Sequence, residues 1–188
     1  LGGSANVLNN IFAIGSRVYV TGIVGADEMG KRLVSEFRKR QIDTSGVIVE
    51  AKRPTTLKTR IVAHNQQILR YDRESRQPVD EDSTEKMISY IRAFRDELGA
   101  IVVSDYGKGV VTKALLDGIR EIISDRPIMV CVDPKINDFS LSQGLDIITP
   151  NHHEAGRAAG VELVDKDNLI QVGTALLDLY NFSRTFGN

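Results

Sequence analysis

Two short apolar runs, residues 128–132 and 146–148, constrain what this chain can fold into more than anything else in it. Each has the length of a strand and each ends in polar residues, the first at Asp133-Pro134-Lys135 and the second at Thr149-Pro150-Asn151. Continuous apolar runs of this size suit strands buried on both faces, as in a parallel sheet. Open α/β sheets place their chemistry just beyond the carboxyl ends of such strands. Two adjacent strands would therefore deliver Asp133, Lys135, Asn151 and Glu154 to one rim.

The rest of the chain alternates in the same way. Gly2-Gly3-Ser4-Ala5-Asn6 precedes a helical pattern in which Val7, Leu8, Ile11, Phe12 and Ile14 share a face, with Gly15 as its stop. Residues 17–23 read as a strand, and Asp27 as the N-cap of a helix whose Met29, Leu33 and Phe37 face a core. Helices follow over 81–98, from Thr112, from about Asn151 and over 168–180, with a strand at 100–103. Between them, 47–73 breaks the rhythm. Period-two runs at 55–63 and 67–73, joined by His64-Asn65-Gln66, predict an antiparallel hairpin. Thr56, Lys58 and Arg60 share one face of its first arm, and Arg70 and Asp72 share one face of the second. The expected fold is α/β, a doubly wound and mostly parallel sheet, with a small antiparallel β lid inserted at about 47–73.

Composition bounds the function. Lys and Arg total 24 against 25 Asp and Glu, for a net charge of −1. That balance argues against a nucleic-acid partner, which demands a basic surface. No apolar stretch approaches a membrane span and no signal peptide is visible, so no membrane partner is expected. The single cysteine, Cys131, lies in an apolar run and cannot form an internal disulfide, which suits a reducing cytoplasm. His64, His152 and His153 have no further ligand at zinc-binding spacing. The chain opens at Leu1-Gly2-Gly3 without a methionine and stops at Phe186-Gly187-Asn188 soon after a helical pattern. The expectation is one incomplete domain over 1–188, with parts missing at both ends.

Several motifs together resemble the ribokinase (PfkB-type) family of carbohydrate kinases: Gly2-Gly3-Ser4-Ala5-Asn6, Gly22-Ile23-Val24-Gly25-Ala26-Asp27 with Gly30, and Asn151-His152-His153-Glu154. Arg53-Pro54-Thr55-Thr56-Leu57-Lys58-Thr59-Arg60, His64-Asn65-Gln66-Gln67, Ser104-Asp105-Tyr106-Gly107-Lys108-Gly109 and Asp133-Pro134-Lys135 sharpen the likeness toward the heptose 7-phosphate kinase domain of bacterial lipopolysaccharide synthesis. The resemblance implies a ribokinase-like fold and ATP-dependent phosphorylation of D-glycero-D-manno-heptose 7-phosphate to its 1,7-bisphosphate, with Mg²⁺. It implies that Gly2, Gly3 and Asn6 contact the sugar, with Asp105 on the same side. Lys58, Arg60 and Arg70 would form a cationic socket for the phosphate the sugar already carries. Lys135, Asn151, His152, His153 and Glu154 would serve the nucleotide, with Glu154 organising Mg²⁺ through water.

Each role has a plainer alternative: a glycine turn, a charged ribbon face, a solvated loop lysine, or an N-cap asparagine with a first-turn glutamate. In the family the catalytic base is an aspartate in a Gly-Ala-Gly-Asp turn, and no such turn occurs in these 188 residues. Either it lies in a C-terminal part outside this chain, or the polypeptide binds nucleotide or sugar without catalysis. A kinase of the same family acting on another sugar is the nearer rival. Related kinases are sometimes fused to an adenylyltransferase domain, and the unpaired edges of the lid make a homodimer through it the expected assembly.

Overall fold

The computed structural model describes residues 2–135, 139–161, 166–182 and 184–185; Leu1 and 186–188, cited above for the chain ends, lie outside them. The chain divides into two compact units, Leu1–Tyr90 with Lys108–Val110, and Ile91–Gly107 with Val111–Asn188.

In the first unit α1 (Ser4–Ala13) starts from Gly3, whose φ of 56° is one that glycine adopts without a Cβ penalty. It buries Leu8 against Phe37 and Ile42, with Ala5, Val18, Val20, Leu33 and Val47 packed around them. β1 (Gly22–Gly25) runs parallel to β2 (Val47–Glu50), and α2 (Glu28–Lys39) forms the crossover. Asp27 caps α2, as expected, by accepting the Gly30 N–H at 2.9 Å.

Two expectations are corrected here. The strand expected over 17–23 begins its ladder only at Gly22, because its partner β2 begins at Val47, the residue paired with Gly22. Val18 and Val20 still send side chains to the core. The insertion expected to begin near 47 begins instead at Leu57, since 47–50 belongs to the parallel pair. The ribbon is β3 (Leu57–Ala63) and β4 (Gln66–Arg73), turned by His64 and Asn65 at φ of 50° and 60°. Two successive left-handed residues are what a tight two-residue hairpin requires. Its register pairs Lys58 with Asp72, Arg60 with Arg70, Thr59 with Tyr71 and Ile61 with Leu69. Charges therefore gather on one face. Ile61, Leu69 and Tyr71 lie on the other, each more than half exposed.

The division between the units falls within α3 (Glu81–Phe94), which a short turn of 3₁₀ helix follows. The second unit holds a parallel sheet in the order β5 (Ala100–Ser104), β6 (Met129–Asp133), β7 (Ile147–Ile148), β8 (Arg184–Thr185). With it go α4 (Lys113–Ile123), α5 (His152–Ala159) and α6 (Lys166–Tyr180). Thr112 caps α4 by accepting the Leu115 N–H. Val103, Val130, Val132 and Ile148 are sealed together with Leu116, Ile119 and Leu176 as core residues. Burial on both faces, expected from the continuous apolar runs, is not what the strands show. In the 128–132 run Met129 stands 46% exposed between buried Ile128 and Val130, and on β5 Val102 stands 47% exposed. No helix among the described residues is long and apolar enough to cross a membrane.

Candidate active site

The carboxyl ends of β5, β6 and β7 bring charged groups together within the second unit. Past the last paired residues the strands stay in register: the Asp105 N–H donates to the Asp133 carbonyl at 3.0 Å, and the Thr149 N–H to the Val132 carbonyl at 3.0 Å. Asp105 is buried and its carboxylate accepts the Gly107 N–H at 2.8 Å. Burial pushes its pKa up against that hydrogen bond. Burial also raises Asp133; Lys135 works against it, while Glu154 and Asp105 push in the same direction as burial.

Glu154 is the best-held group of the set. Its side chain is 5% exposed, and both carboxylate oxygens are engaged. Oε2 accepts the Asn151 N–H at 2.8 Å while Asn151 Oδ1 accepts the Glu154 N–H at 3.0 Å, a reciprocal capping box at the start of α5. Oε1 receives Lys135 Nζ at 2.7 Å. The hydrogen bond to Glu154 is the main reason the Lys135 ammonium lies above its usual range. Lys135, Asn151 and Glu154 thus converge at one rim, and the cap reading holds at Asn151 and Glu154. His152 and His153, in the first turn of α5, are exposed, with ring centroids 3.9 Å apart.

The remaining candidates lie in the first unit. Gly2, Gly3 and Asn6 are exposed at the start of α1. Lys58, Arg60 and Arg70 share a ribbon face, but the three are not equivalent. Arg70 makes a two-pronged contact with Asp72, at 2.9 and 2.6 Å, so its charge is already matched. Lys58 and Arg60 form no ion pair among the described residues. Lys108, from the Ser104–Gly109 motif, gives its ammonium to Glu74 at 2.7 Å, with both side chains largely buried. Asp133 was expected on this rim without a role of its own, and Asp72 was given no role. Asp72 was within reach, because period-two spacing puts it on Arg70's own face.

The donor set fits a hydrated Mg²⁺. Among the described residues no three His, Cys, Asp or Glu side chains cluster closely enough to enclose a metal. Mg²⁺ is ordinarily held by one or two carboxylates with retained water and phosphate oxygens. Glu154, with one oxygen facing only a half-exposed lysine, suits that role.

Comparison with known proteins defines the class. The profile of the "pfkB family carbohydrate kinase" matches residues 1–181, and the chain belongs to that family. More particularly, it is 42% identical over 177 residues to the bifunctional protein HldE of Geobacter metallireducens, a match covering 94% of this chain and 36% of that protein. The chain spans little more than a third of the length of the curated relatives it matches. The tetrameric inhibited form of phosphofructokinase-2 from Escherichia coli matches with a TM-score of 0.73 over 98% of this chain and 60% of that one, at 20% identity. Ribokinase from Giardia lamblia matches at 0.67 over 89% and 52%, at 16% identity. The fold is ribokinase-like.

Proposed function

We propose that this chain is part of a sugar kinase that transfers the γ-phosphoryl group of ATP to D-glycero-D-manno-heptose 7-phosphate, giving the 1,7-bisphosphate used in heptose precursor synthesis for lipopolysaccharide. The observation that carries the reading is the buried Glu154, fixed by Asn151 and paired with Lys135 at the carboxyl ends of parallel strands in a chain of this family. The relatives named HldE and the ribbon motifs support the heptose phosphate as acceptor.

The reaction forms a bond from the acceptor oxygen to the γ-phosphorus and breaks the bond from that phosphorus to the β,γ-bridging oxygen; ADP leaves and the hydroxyl proton passes to a base. Mg²⁺, when bound, would neutralise phosphate charge. The chain's own residues do the positioning. Glu154 presents a rigid carboxylate, and Lys135 is released from it to meet phosphate oxygens. Gly2, Gly3 and Asn6 hold sugar hydroxyls, with Asp105 also on the sugar side, and Lys58 and Arg60 hold the existing phosphate. Asn151, His152 and His153 border the nucleotide. The base would come from a Gly-Ala-Gly-Asp turn outside these 188 residues, in a longer protein that also carries an adenylyltransferase domain, acts in the cytoplasm and dimerises through the ribbon.

A substrate panel on the full-length protein tests this. ATP turnover should be highest with heptose 7-phosphate, lower with fructose 6-phosphate, and lowest with unphosphorylated heptose or ribose. Preference for an unphosphorylated sugar would move the reading to another kinase of the family, and no turnover with any sugar would favour a binding module.

A further inference from the structure

Asp27 does more than cap a helix. Its Oδ1 accepts the Gly30 N–H at 2.9 Å, but its Oδ2 accepts two donors from the ribbon, the Thr55 backbone N–H at 3.0 Å and the Arg73 guanidinium at 3.3 Å. Thr55 lies two residues before β3 and Arg73 is the last residue of β4, where it pairs with Leu57. One carboxylate oxygen therefore holds both roots of the hairpin. Thr55, itself buried, closes the joint by accepting the Gly25 N–H on its Oγ1 at 2.9 Å. The neighbouring glycines make room for this. A Cβ on Gly25 would stand 2.4 Å from the Arg53 carbonyl oxygen and 2.7 Å from the Thr55 nitrogen, and one on Gly30 would stand 2.4 Å from the Gly25 carbonyl oxygen and 2.9 Å from Thr55 Oγ1. Hydrogen bonds, first from Gly30 and then from Thr55, hold the Asp27 carboxyl down to about 2, so it carries its charge throughout the physiological range.

We propose that Asp27, acting through Thr55 and Arg73, is a positioning residue that fixes the pose of the ribbon and hence where Lys58 and Arg60 hold the phosphate of a phosphorylated sugar. The proposal rests on the reading of the ribbon as the phosphate socket. Nothing else in the described structure binds both ends of the ribbon through one group, and the ribbon is too exposed for packing to set its direction.

Asp27→Asn separates the two jobs. Asparagine is as good an N-cap as aspartate and keeps an acceptor for Gly30, but it turns an amide NH₂ toward the Thr55 N–H and Arg73. In the full-length enzyme Asp27→Asn should raise the KM for heptose 7-phosphate by about tenfold, leaving the KM for ATP within about twofold. Arg73→Gln, a change at a half-exposed side chain, should raise the sugar KM by roughly threefold. Thr55→Val should behave like Asp27→Asn, and Thr55→Ser should restore the wild-type values. Equal loss in both KM values, or a loss confined to kcat, would overturn the positioning role.

Lys58→Ala is the control for the underlying reading. If it raises the sugar KM while Asp27→Asn does not, only the positioning claim fails; if neither moves it, the phosphate socket fails. Backbone hydrogen exchange gives a second readout independent of substrate. Asp27→Asn should speed exchange at Thr55 and along β3 and β4, leaving β1 and β2 unchanged; unchanged protection of the ribbon would overturn the proposal whatever the enzyme accepts.

Discussion

The pair of Lys135 and Glu154 carries a prediction whose size can be worked from the geometry. Breaking a fully buried ion pair by removing one partner costs about 3–5 kcal/mol. Here only the carboxylate is buried, its side chain 5% exposed, while Lys135 is 47% exposed and water can replace part of what it provides. The Asn151 N–H also stays on the other oxygen, so half of the glutamate's hydrogen bonding survives. Lys135→Met should therefore destabilise the protein by about 1–2 kcal/mol, nearer a charge-assisted hydrogen bond than a buried pair. Glu154→Gln should cost a similar amount, because an amide can still accept from Asn151 but offers Lys135 a weaker partner. In a double-mutant cycle read by urea denaturation, the coupling should be about 1 kcal/mol. Added Mg²⁺ should stabilise the Lys135→Met protein more than the wild type, since no lysine then competes for the carboxylate. A coupling below about 0.3 kcal/mol would refute the claim that the two side chains hold each other in solution.

Three further outcomes follow from the geometry. The Asp27 carboxyl lies at about 2 in the folded chain against an ordinary 3.8, so its stabilisation is complete above the unfolded value and is lost as pH falls through the folded one. With its side chain 21% exposed, Asp27→Asn should cost about 1–2 kcal/mol at neutral pH and almost nothing near pH 2, measured by urea midpoints along a pH series. Asp72→Ala releases Arg70 from its carboxylate, so the KM for the sugar phosphate should fall by roughly twofold to threefold, whereas Arg60→Ala should raise it by about tenfold; steady-state kinetics would decide. Tyr71→Lys places a charge on the apolar face of the ribbon beside Ile61 and Leu69, and light scattering should show the proposed dimer replaced by monomer.

Much of this architecture was legible from local pattern. Asp27, Thr112 and Asn151 announce helix starts because an N-cap is a short-range bond. The hairpin shows in period-two spacing, and its charged face follows from alternation alone. What stayed hidden depends on partners distant in sequence. The first strand was read several residues too early because apolar alternation at Val18 and Val20 does not reveal where a neighbouring strand begins. Met129 read as buried because an apolar side chain carries no record of whether anything covers it. Lys135 and Glu154, 19 residues apart, were each assigned to the nucleotide without the salt bridge that joins them. The second role of Asp27 depends on Thr55 and Arg73, 28 and 46 residues away.

On the proposed function, the rim formed at Lys135, Asn151 and Glu154 serves phosphoryl transfer to a sugar phosphate. Phosphorus NMR of the full-length protein with ATP, Mg²⁺ and heptose 7-phosphate tests it most directly, with wild type and Glu154→Gln side by side. The wild type should build up a second sugar phosphate signal, and Glu154→Gln should slow its appearance by about a hundredfold with the sugar KM little changed. No new phosphate ester from the wild type, or equal rates from both proteins, would contradict it.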